Sequence, residues 1–156
     1  MIDKKVSLYP DGSKKQETYY KNFDYHNDSG PAIVRYHDNG KVYSEEYYID
    51  GKLNRTDGPA LKYWNANGSV HSEAYRVNNK AHREDGPANS SFYNNGQIRY
   101  QDYVINGKYH RMDGPAIIRF NGAGKAIGSR YYVNGEHIKC SSLKQFKQYV
   151  KLLMFK

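Results

Sequence analysis

The dipeptide Gly-Pro occurs at residues 30–31, 58–59, 86–87 and 114–115, always 28 residues apart. A period of this length restricts a chain to a stack of similar supersecondary units, each burying its apolar face against its neighbours. The same step relates Asn39-Gly40, Asn67-Gly68, Asn95-Gly96 and Ala123-Gly124. It also relates Asp50-Gly51, Asn78-Asn79, Asn106-Gly107 and Asn134-Gly135. Asp11-Gly12, Glu17 and Tyr19 stand 28 residues before Asn39-Gly40, Glu45 and Tyr47, so a partial copy precedes the full ones. The array is expected over 1–139, as a partial unit 1–27 and units 28–55, 56–83, 84–111 and 112–139.

Asn-Gly and Asp-Gly between β-favouring residues signal type I′ hairpin turns, in which both residues take positive φ. With two such dipeptides per unit, each unit is expected to contribute two strands, one of them the segment 41–49 and its copies. Proline cannot donate to a sheet ladder, so the Asp-Gly-Pro triplets are expected at bulges or bends that interrupt the second strand. The expected fold is mainly β: an elongated, twisted, single antiparallel meander of about four and a half units, ending in a capping helix.

The repeat also aligns side chains. Tyr19, Tyr47, Tyr75, Tyr103 and Tyr131 form one column, and Tyr36, Trp64, Phe92 and Phe120 a second. Ile49, Val77, Ile105 and Val133 form a β-branched column, and Ala32, Ala60, Ala88 and Ala116 a small one. These are read as structural ladders in which each ring stacks near its copy in the next unit. The 17 Tyr against 5 Phe and 1 Trp mean that burial relies on rings with a polar tip.

The pattern Asp-Gly-Pro-Ala, aromatic strand, Asn-Gly, Glu-x-Tyr-Tyr-x-Asn-Gly-Lys-x-His-Arg resembles the MORN-repeat variants of bacterial YwqK-like antitoxin proteins and of phage and giant-virus proteins. The resemblance covers residues 6–139, with a longer period and Gly-Pro punctuation as departures. It implies a repeat scaffold that acts through protein or membrane-associated interaction.

Residues 140–156 break the period and are expected to form an amphipathic helix. Ser142 and Gln145 match a capping box, with Leu143, Phe146, Val150 and Leu153 on one face and Lys144, Lys147 and Lys151 on another. Such a helix can cap the last repeat, or meet an acidic surface. The formal charge is +8, but the five lysines from 139 onward leave 19 basic and 16 acidic groups, or +3, for residues 1–138. That balance argues against one extended phosphate-binding surface.

No close His/Asp/Glu spacing marks a metal or catalytic site, so no cofactor is expected and the chain is read as a non-enzyme. Arg55, Arg83 and Arg111 recur in register beside Asp57, Asp85 and Asp113, which can neutralise them locally. The third unit deviates most, with Asn89-Ser90-Ser91 near Tyr93, Arg99, Tyr100 and Gln101 as a candidate polar aromatic patch. The expected function is to present a sheet face to a protein partner, and the resemblance implies an antitoxin-like or virus-encoded inhibitor. The alternative is a docking module for an anionic ligand: a nucleotide, nucleic acid or phospholipid headgroup on an acidic membrane, held by the Arg column and tail lysines. The single Cys140, without a secretion signal or membrane-spanning stretch, points to the cytoplasm.

Overall fold

The computed structural model describes residues 1–155, so Lys156, the last residue of the basic tail, lies outside them. The chain is mainly β with one C-terminal helix. It forms two compact units, Met1–Lys80 and Ala81–Lys156, and in each the main strands follow chain order as an antiparallel meander.

The first unit contains β1 (Asp3–Leu8), β2 (Lys14–Lys21), β3 (Asp24–Tyr25), β4 (Ile33–Tyr36), β5 (Val42–Glu46), β6 (Tyr48–Ile49), β7 (Lys52–Leu53), β8 (Leu61–Trp64), β9 (Val70–Ala74) and β10 (Arg76–Val77). Its sheet runs β1-β2-β4-β5-β8-β9, with β3 on β2 and a separate hairpin of β6 and β7. The short strand β11 (Lys80–Ala81) straddles the division. The second unit continues with β12 (Asn89–Phe92), β13 (Ile98–Asp102), β14 (Val104–Ile105), β15 (Lys108–Tyr109), β16 (Ile117–Phe120), β17 (Ala126–Val133), β18 (Glu136–Ile138) and α1 (Leu143–Leu153). Its sheet runs β12-β13-β16-β17-β18, with β14 and β15 as the separate hairpin.

The two turn families differ, although the sequence reads both as type I′. In Asp50-Gly51, Asn78-Asn79, Asn106-Gly107 and Asn134-Gly135 both residues have positive φ, as expected. In Asn39-Gly40 and its copies only the glycine does. There His37 N donates to Lys41 O at 2.8 Å, and Asn39 Oδ1 accepts from Lys41 N at 3.1 Å. Asparagine is thus used for a side-chain turn bond, and the loop is the longer hairpin type with one left-handed glycine. A fifth I′ turn, Asn22-Phe23, completes the N-terminal copy, with Phe23 at φ 70° and fully exposed.

The segment 41–49 is not one strand. It breaks at Tyr47, whose N–H donates to Ala60 O at 2.8 Å, so β5 stays in the sheet while β6 turns into its own hairpin. The Asp-Gly-Pro triplets form bends, one of the two expected forms, in the loop that leads from each short hairpin into the next sheet strand. The bulges lie at the aromatic column instead, between Arg35/Tyr36, Tyr63/Trp64, Ser91/Phe92 and Arg119/Phe120. The residues skipped by the register are Tyr43, His71, Arg99 and Ile127. Ala32, Ala60, Ala88 and Ala116 are fully buried where each loop rejoins the sheet, a place without room for a larger side chain.

At the end of the second unit, α1 packs Phe146 and Val150 on Val133 and Ile138, with Tyr131, Met112, Cys140 and Tyr149 around them. The Tyr131 and Phe146 ring centroids are 4.7 Å apart. Ser142 Oγ accepts from Gln145 N at 3.3 Å, but Gln145 Oε1 reaches back to Ser141 N at 2.8 Å, one residue earlier than a capping box requires. The apolar face is also narrower than its periodicity suggests. Leu143 and Leu153 remain 42% and 37% exposed, because the last repeat offers only enough apolar surface for the two middle turns.

Candidate functional site

Each arginine of the Arg-x-Asp-Gly-Pro motif is held in place by its own loop. Arg55 Nε donates to Asp57 Oδ1 at 2.7 Å, and its guanidinium lies 3.9 Å from the Tyr47 ring centroid. Arg111 repeats this with Asp113 at 2.6 Å and Tyr103 at 3.9 Å, and Arg83 Nε bonds Asp85 at 2.7 Å. These bonds hold the three aspartates below the usual carboxylate range. A Cβ at Gly58 would sit 2.9 Å from Arg55 Cζ, so a side chain there would displace the guanidinium from its place. The arginine also explains why the rings of Tyr47 and Tyr103 do not stack on the next copy. Successive copies are two strands apart, roughly 10 Å, beyond the 4.5–7 Å of ring contact, and a guanidinium covers the ring face instead. Tyr75 is half-buried like the rest of its column.

The histidines serve the same scaffold. Nδ1 of His26, His82 and His110 accepts the amide of Asp50, Asn106 and Asn134, each at 3.1 Å, tying one loop to the next I′ turn. Among the described residues, no three His, Cys, Asp or Glu side chains gather as a metal site. No described helix is long and apolar enough to cross a membrane.

The first unit also neutralises its sheet faces. Glu17 accepts from Lys4 at 2.8 Å, Lys14 at 3.0 Å and the Tyr36 hydroxyl at 2.7 Å. These bonds bring its carboxyl down to about 2, while burial and Glu17 push the Tyr36 hydroxyl up to about 12. Glu73 pairs with Lys62 at 2.8 Å. On the opposite face Arg35 donates to Gln16 and Ser44 and is paired with the buried Glu46.

The second unit leaves the corresponding face open. Two adjoining pockets, about 460 and 410 Å3, share Tyr100, Arg119 and Ile127. The first adds Ser91, Tyr93, Arg99 and Phe120, and the second Tyr109, Ile117, Gly128, Ser129 and Arg130. Tyr93 donates its hydroxyl to Phe120 O at 2.9 Å, with the exposed Arg99 5.9 Å from its ring. Tyr100 donates to Asp102 Oδ2 at 2.9 Å, and Asn89 Nδ2 donates to the other oxygen at 2.6 Å. Burial and the Asp102 carboxylate together raise the Tyr100 hydroxyl well above its ordinary value.

Comparison with family models, curated proteins and solved structures gives no match.

The structure therefore brings Tyr93, Arg99 and Tyr100 together and separates Gln101 from them. Gln101 pairs with Ser90 and Ile118, while Tyr100 pairs with Ser91 and Arg119, and adjacent strand residues point to opposite faces. Arg119, Arg130, Ile127 and Tyr109 belong to the site although the sequence reading passed over them. For the two arginines the signal lies in the columns: Arg35, Tyr63, Ser91, Arg119 in one, and Glu46, Ala74, Asp102, Arg130 in another. Net charge does not separate the two sheets: residues 1–80 carry 12 basic and 11 acidic groups, a net +1, residues 81–138 carry 7 and 5, a net +2, and the five lysines from 139 onward supply the remaining +5. Lys144, Lys147 and Lys151 lie on the exposed side of α1, and Lys147 helps to lower the Asp113 carboxyl.

Proposed function

We propose that this chain is a non-enzymatic, cytoplasmic binding protein that uses the open sheet face of its second unit to engage a protein partner, as an antitoxin-like or virus-encoded inhibitor. The observation that carries the reading is the contrast between equivalent sheet positions: Arg35 is internally paired, while Arg119, three repeats on, lines a pocket together with Tyr93, Arg99 and Tyr100. Amphipathic rings and arginines are the side chains that dominate the energetics of protein interfaces. Ile127, 65% exposed beside them, supplies the apolar contact such a face needs.

The test is capture from the native cell with tagged wild-type protein and with the pair Tyr93→Ala and Ile127→Asp. A single protein at near-equimolar yield with wild type, lost with the pair, supports the reading. The same capture with both, or only substoichiometric proteins with wild type, sinks it.

A further inference from the structure

We propose that the pocket between Arg119 and Arg130 is a binding site for a phosphate monoester group. This deepens the reading above by naming the chemistry of the group that anchors the partner.

In the register of β16 and β17, Arg119 faces Gly128 and Ile117 faces Arg130, so the two arginines are diagonal neighbours on one sheet face. The identical arrangement in the first unit sets Arg35 opposite Ser44 and diagonal to Glu46. There Glu46 closes the pair and Ser44 accepts from Arg35 at 3.4 Å. Three repeats later the carboxylate has become Arg130 and the serine has become Gly128. A Cβ on Gly128 would meet nothing within 4 Å, so the place taken by the serine side chain in the first unit is empty space in the second. Neither the Arg119 nor the Arg130 side chain has a hydrogen bond or ion pair among the described residues, and both line the same 410 Å3 pocket.

Two like charges at diagonal positions repel, and an anion between them removes the repulsion. A phosphate monoester carries about −1.5 to −2 charge and three acceptor oxygens, which matches two guanidinium forks; a carboxylate balances only one of them. Tyr100, Tyr109 and Ile127 wall the pocket, so the organic part of the ligand meets rings and an aliphatic side chain. The same phosphate can arrive on a small molecule or on a side chain of the protein partner.

The test is titration of the full chain, followed by backbone amide NMR at Gly128, Ser129 and Arg130, with inorganic phosphate, acetate, adenosine monophosphate and a phosphotyrosine peptide. Saturable shifts with phosphate, at least tenfold tighter than with acetate, are expected. Whichever organic phosphate binds more tightly identifies the source. Arg119→Gln should weaken binding tenfold or more. Arg130→Glu should abolish it while leaving the melting temperature unchanged or higher, because it restores the pairing seen at Arg35 and Glu46. The lysine variant Lys144→Gln, Lys147→Gln, Lys151→Gln should bind as wild type. Non-saturating shifts, equal response to acetate, or equal binding by both arginine variants would overturn the proposal. A phosphate site without a captured protein refutes only the partner reading, and a captured partner without phosphate binding refutes only this inference.

Discussion

In the first unit Arg35 bonds Gln16 and Ser44 and is paired with Glu46, whereas in the second unit Arg119, three repeats on, has Gly128 opposite and Arg130 diagonal to it. The backbone register is the same in both places. The repeat therefore fixes where side chains stand but leaves their charges free to vary. The first unit uses that freedom to set a carboxylate beside its arginine, and the second sets a second arginine there. A repeat array offers a binding site where the local pairing rule is broken while the backbone rule is kept.

The largest expected effect concerns what replaces such pairing in the second unit, namely the docking of α1. Phe146→Ala should cost about 3–5 kcal/mol in denaturant unfolding, as for other fully buried aromatics, and Leu143→Ala less than about 1. Equal losses at both positions would mean that the helix face, and not its two middle turns, holds the cap.

Next, Arg35→Ala should cost about 2 kcal/mol, because it leaves the 5%-exposed Glu46 carboxylate without its cation, discounted from a fully buried pair since Arg35 is partly solvated. Arg119→Ala should lie within about 0.5 kcal/mol of wild type, as for an exposed residue without partners. Equal costs would erase the contrast between the two units.

The units should also part in acid. The column Glu17, Glu45, Glu73 of the first unit continues as Gln101 and Ser129 in the second. The Glu17 carboxyl titrates at about 2 when folded and near 4.5 when unfolded, so its charged form is favoured by the fold. Its contribution is complete above pH 4.5 and disappears as pH falls towards 2. With its lysine partners partly exposed, about 1–2 kcal/mol is expected. Hydrogen exchange at pH 3 should open the first unit before the second, and Glu17→Gln should flatten this pH dependence.

The smallest effect tests the I′ turns. Phe23 occupies a left-handed position that Gly107 fills in the second unit, so Phe23→Gly should raise stability by about 1 kcal/mol, read as a higher melting temperature. No gain would mean that the exposed ring has contacts of its own.

The period, the strand content, the terminal helix and the second family of turns could be read from the residues, because each depends on local backbone preference repeated at fixed spacing. The pairing of Arg with the Asp two residues on was legible for the same reason. The break at Tyr47 was not: residues 41–49 have β-favouring chemistry throughout, and only the bond from Tyr47 N to Ala60 O, made by a distant loop, ends the strand there. The candidate site shows the same boundary. Tyr93, Arg99 and Tyr100 stood out as a departure from the repeat, yet sequence adjacency added Gln101, which strand alternation sends to the other face. Arg119 and Arg130 lie 11 positions apart and meet only through the pairing of β16 with β17. Sequence by itself determined the unit and its local clips, since those are short-range interactions between neighbours in the chain. The tertiary structure decided which charges face each other and which remain open, because cross-strand register is set by the packing of whole strands.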